Sequence, residues 1–87
     1  MSGDEPNADE SRRLRWRCRR GMKELDHLLL RWLEREWPRA GADRRAAFVA
    51  LLDSEDDRLW YWFTGKERPP PGGIGELVDA IRADAGL

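Results

Sequence analysis

Residues 21–38 read GMKELDHLLLRWLEREWP. Met22, Leu25, Leu29, Trp32 and Leu33 fall at i, i+3, i+7, i+10 and i+11, one stripe of an α-helix, and Leu28 widens it. The positions between them are mostly charged, as a solvated face requires. The pattern stops at Trp37-Pro38, because the residue before a proline disfavours the α region. The spacing predicts a helix from Gly21 to Glu36. Gly21 is the odd residue in it, since glycine inside a helix costs about 1 kcal/mol relative to alanine.

Upstream, Leu14 and Cys18 lie four apart on one face, Trp16 lies off that face, and Ser11 is placed to cap a short first helix. Residues 1–10, MSGDEPNADE, carry acids, Gly, Pro and Asn with no periodic apolar residue, and read as a disordered acidic tail. Downstream, Asp43 can cap a third helix with Ala47, Phe48, Leu51 and Leu52 on its apolar side. Ser54 then offers a fresh N-cap with Asp57 three residues on, a capping-box spacing with Asp in place of Glu. The acids Glu55, Asp56 and Asp57 suit the positive end of the helix dipole. The fourth helix carries Leu59, Trp60, Trp62 and Phe63, and Gly65 suits its end. KERPPPGG is a stiff connector. Ile74, Leu77, Val78 and Ile81 repeat at i, i+3, i+4 and i+7, a fifth helix. No stretch alternates with period two. Residues 11–87 therefore read as a single helical domain, an all-α fold with Leu29, Leu33, Phe48, Leu52, Leu59, Phe63, Leu77 and Ile81 buried together.

The chain has 87 residues, enough for one small core and too few for a large enclosed substrate cavity. Five tryptophans are expected mainly in that core, with one or two at its rim. One cysteine makes no internal disulfide, and one cysteine with one histidine makes no usual zinc site. No apolar run is long enough to span a bilayer, and the N-terminus has the character of neither a secretory signal nor a transit peptide. A cytoplasmic protein without membrane insertion is the expectation.

From Arg12 to Lys23 there are seven basic residues and no acid. This run points to an anionic partner. A protein surface bearing carboxylates or phosphates is favoured over nucleic acid, because the whole chain has net charge −1 and the arginines are spread around the helix instead of forming one stripe. A merely solvated face is the plain alternative. Asp26 and His27 are adjacent and so point about 100° apart on a helix, which prevents a tight acid–base pair. Cys18 reads as a small core residue. Gly72, Gly73 and Gly75 follow a proline run and no strand, so they form no nucleotide-binding turn. The acids at 53–57 lack the spacing of a calcium loop. These readings exclude an obvious enzyme and leave a binding module. A small arginine-rich nucleic-acid-binding regulator is the rival reading, and a strong salt dependence of DNA binding would distinguish it.

The stretch RWRCRRGMKELD at 15–26 carries a family likeness. Its Arg-Gly-x-x-Glu motif is Arg20, Gly21 and Glu24, followed by Leu25 and Asp26. A second matching stretch is LLDSEDDRLWYWFTG at 51–65, with Asp56, Leu59 and Trp62 in place and with Trp60 and Tyr61 making it more aromatic. From Arg12 to Ile81 the sequence resembles the succinate dehydrogenase assembly factors of the SdhE type, which promote covalent attachment of FAD to a flavoprotein subunit. The resemblance implies a small antiparallel five-helix bundle that docks on the flavoprotein subunit of succinate dehydrogenase or fumarate reductase. It implies a chaperone, not an enzyme: FAD belongs to the client, and none is held tightly by this chain. Arg20, Gly21 and Glu24 are then expected exposed on one partner-binding surface, joined by Arg13, Arg17, Asp26 and Asp56. Gly21 would allow close approach of the partner's backbone, or it would serve the angles of a junction between two helices.

Overall fold

The computed structural model describes residues 6–87. Five α-helices follow one another: α1 (Pro6–Arg17), α2 (Lys23–Arg35), α3 (Ala42–Leu52), α4 (Asp56–Thr64) and α5 (Gly73–Asp84), with a 3-10 turn at Trp37–Arg39 between α2 and α3. There is no strand among the described residues, so the fold is the expected all-α bundle.

Several boundaries differ from the sequence reading. α1 begins at Pro6, where proline's fixed φ and missing N–H suit a first turn. Residues 6–10 of the expected tail are therefore helical, Ser11 lies inside α1, and residues 1–5 fall outside the described residues. α2 starts at Lys23, two residues later than its apolar stripe suggests. Gly41 precedes α3 in the N-cap position, with Asp43 in the first turn. Glu55 takes that position before α4 without a side-chain cap bond, so the box expected at Ser54 and Asp57 does not form. Asp56 and Asp57 still lie in the first turn, where negative charge is favourable. At the far end of α4, Gly65 has φ 81°, and the amides of Gly65 and Lys66 donate back to Trp62 and Tyr61. That pair of bonds is the Schellman pattern, which requires a left-handed residue.

The helices close on one apolar core. All eight residues expected in it are buried, together with Leu14, Cys18, Leu25 and Leu51. Trp32 stacks on Phe48 with ring centroids 4.5 Å apart, and Trp37 meets Trp32 edge-on at 6.3 Å. Trp62 is also buried, Trp60 is half-buried, and Trp16 stands 73% exposed. α5 lies along α3. The proline connector presses on α5 so closely that a Cβ at Gly75 would meet the Pro70 carbonyl oxygen at 2.4 Å. Ion pairs tie the periphery: Arg15–Glu34 joins α1 to α2 at 2.9 Å, and Arg31–Asp84 joins α2 to α5 at 3.3 Å. Exposed pairs of this kind contribute at most about 1 kcal/mol each, so the core carries the stability.

Candidate functional site: the junction of α1 and α2

α1 ends as the amide of Cys18 donates to Leu14. The chain then turns through Arg19-Arg20-Gly21-Met22 before α2 begins. Gly21 sits at φ 89°, and a Cβ built there would have no heavy atom within 4 Å. The glycine is thus required by the backbone angle, and its outer side is open. Both readings of Gly21 have a physical basis, and the angle is the stricter of the two.

Asp26, one turn into α2, reaches back over this junction. One carboxylate oxygen accepts the Arg20 amide at 2.8 Å and the other accepts the Gly21 amide at 3.3 Å. Arg20 itself points inward, contrary to the exposed position expected for it, and its side chain is 14% exposed. Its Nε donates to Asp56 at 2.6 Å. Its Nη1 donates to the carbonyls of Leu52 at 2.8 Å and Arg17 at 3.2 Å, and Nη2 donates to the carbonyl of Ser54. Leu52 ends α3 and Asp56 opens α4, so one guanidinium binds the negative end of one helix and an acid at the positive end of the next. Ser54 acts here through its backbone carbonyl, not as a cap.

The expected site residues therefore divide. Gly21, Glu24 and Arg13 are exposed. Arg20, Asp26 and Asp56 are engaged with one another and with the backbone, and Arg17 pairs with Asp53. Glu24 makes no hydrogen bond or ion pair among the described residues. Beside it, Lys23 and His27 are exposed on the same turns of α2. These three residues border a shallow groove of about 680 Å³ whose apolar side includes Leu28, Trp60 and Phe63. The sequence reading did not find this groove. Its signal was the pair of partly covered apolar residues, Leu28 and Trp60, that widen their helices' stripes.

Both oxygens of Asp26 accept amides, and no hydrogen bond joins Asp26 to His27 among the described residues. Cys18 is enclosed, and burial pushes its thiol up to about 12, with Asp26 adding to the rise and Arg20, Arg15 and Arg17 opposing it. Such a thiol is a core group and not a nucleophile at neutral pH. No cluster of His, Cys, Asp and Glu fit to hold a metal ion occurs among the described residues. No helix among them is long and apolar enough to cross a membrane.

The described residues thus form a helical domain that carries an exposed polar turn beside an apolar groove. The chain belongs to the family described as the flavinator of succinate dehydrogenase, whose profile matches residues 12–85. It is 44% identical to the FAD assembly factor SdhE of Xylella fastidiosa strain 9a5c, over 94% of this chain and 88% of that relative. It is also 40% identical to the FAD assembly factor SdhE of Methylococcus capsulatus, over 85% and 89% of the two chains. The factor of the same name from Vibrio cholerae is 37% identical, over 87% and 88%. No solved structure matches the chain significantly.

Proposed function

We propose that this chain is an assembly factor that docks on the flavoprotein subunit of succinate dehydrogenase, or of fumarate reductase, and promotes covalent attachment of FAD to it. Family membership over residues 12–85 carries this reading. The exposed turn of Lys23 and Glu24, with open space at Gly21, supplies a surface suited to polar contacts and close approach.

The flavin bond forms within the client, and FAD is the client's group. The factor acts without contributing an acid or a base. A bound protein shifts a conformational equilibrium only by its differential affinity for the two states. The docking surface must therefore prefer the client geometry in which flavin and acceptor side chain meet. The cytoplasm is the compartment in which this would take place.

The test mixes purified apo-flavoprotein with FAD, with and without the chain, and reads covalent flavin after denaturation. Acceleration by wild type and not by Glu24→Gln is expected. A parallel titration against DNA at varied salt addresses the nucleic-acid reading: affinity falling steeply with salt would favour a regulator instead.

A further inference from the structure

Within the Arg-Gly-x-x-Glu motif, Arg20 is the residue least available to a partner. Arginine offers five N–H donors. Four are engaged inside the chain, on Asp56 and on the carbonyls of Arg17, Leu52 and Ser54. Those acceptors come from the end of α1, the end of α3, the turn that follows it and the start of α4. The amides of Arg20 and Gly21 go to Asp26 of α2. Two consecutive residues thus join four helices at one point. Glu24 lies two residues before Asp26 on the first turn of α2, so the direction it faces depends on this point.

We propose that Arg20 is a positioning residue of the docking surface: from inside the fold, anchored by Asp26 and Asp56, it holds the Gly21 turn and so sets where Glu24 meets the partner. The inference rests on the proposed function for the identity of that partner. Its physical content concerns the free chain. A guanidinium reaches four acceptors in fixed directions, whereas a lysine ammonium is a single donor atom and keeps only the charge. Charge alone would satisfy a loose contact with a partner. It would not satisfy this clamp.

The variants Arg20→Lys, Asp26→Asn, Asp56→Asn and Glu24→Gln separate the roles. Binding to the flavoprotein is measured by calorimetry at a temperature where every variant is folded, which removes simple loss of stability from the comparison. Hydrogen exchange at the amides of Arg20, Gly21 and Asp26 is measured on the free chain. The clamp predicts that Arg20→Lys, Asp26→Asn and Asp56→Asn each weaken binding by about tenfold and each speed exchange at the turn. The losses of Arg20→Lys and Asp56→Asn overlap in the double variant, because both remove the same support. Glu24→Gln weakens binding and leaves exchange unchanged. If both aspartate variants bind like wild type while Arg20→Lys does not, Arg20 touches the partner directly and the proposal is overturned. Unchanged exchange in Arg20→Lys overturns it as well. If the wild-type chain does not bind the flavoprotein at all, the functional reading fails, and exchange on the free chain alone decides the clamp.

Discussion

At Gly21 the backbone takes φ 89°, a left-handed angle that costs an L side chain about 1–2 kcal/mol. The space around it is open, so Gly21→Arg adds strain without a clash. It should fold, with a melting temperature lowered by about 5–10 °C, and lose docking because the new side chain covers the approach. A melting curve beside a binding titration checks both. Cys18 makes a second case. Burial holds its thiol neutral up to about 12, above its ordinary 9.0. The neutral thiol's contribution to stability is fully present below pH 9.0 and is lost as pH rises toward about 12, where the folded thiol also ionises. At pH 8 a thiol reagent should therefore label Cys18 only in denaturant. Rapid labelling of the folded chain would contradict its enclosure. At this scale residue type was legible, since Cys18 read as core and Gly21 as special. Direction was not: whether Arg20 faces a partner or the carbonyls of Leu52 and Ser54 depends on a helix end 32 residues away in sequence.

Among the elements, α2 and α5 were readable because their apolar residues recur at helical spacing and bury against a single core. Leu29→Ala and Ile81→Ala should each cost about 2–5 kcal/mol, as chemical denaturation would show. Helix ends were less readable. Capping depends on where the backbone first turns helical, and the N-cap positions fall on Gly41, two residues before the better cap former Asp43, and on Glu55, one residue after Ser54. Nor does the apolar pattern show that α1 continues back to Pro6, since the sequence PNADE at 6–10 holds no periodic apolar residue to mark it. Two glycines of α5 make a paired prediction. Gly73 has only an ordinary contact at 3.5 Å with Ala47, so Gly73→Ala should stabilise by about 0.4–1 kcal/mol through the unfolded chain. Gly75→Ala places a methyl 2.4 Å from the Pro70 carbonyl and should destabilise despite alanine's better helix propensity. Equal melting temperatures for the two variants would contradict the tight seating of the proline connector.

Across the whole molecule, the proposed function and the stability separate by depth. The core of Trp32, Phe48 and the leucines holds the helices, a clamp of Arg20, Asp26 and Asp56 fixes one junction, and the polar turn it supports is the surface offered outward. The family was legible because its motif pairs a backbone requirement at Gly21 with exposed chemistry at Glu24, and both survive in one sequence. The wiring beneath was not, because three of the four acceptors of the Arg20 side chain, Leu52, Ser54 and Asp56, lie more than 30 residues away in sequence. The central claim is that this chain accelerates flavin attachment by docking through that turn. The most direct measurement follows the fluorescence of covalent flavin on the flavoprotein subunit in a denaturing gel over time, with wild type, Glu24→Gln and His27→Ala. The account predicts strong acceleration by wild type, nearly the same by His27→Ala, which supplies no catalytic group, and little by Glu24→Gln despite an unchanged melting temperature. Full acceleration by a folded Glu24→Gln, or loss of acceleration by orders of magnitude in a folded His27→Ala, would contradict it.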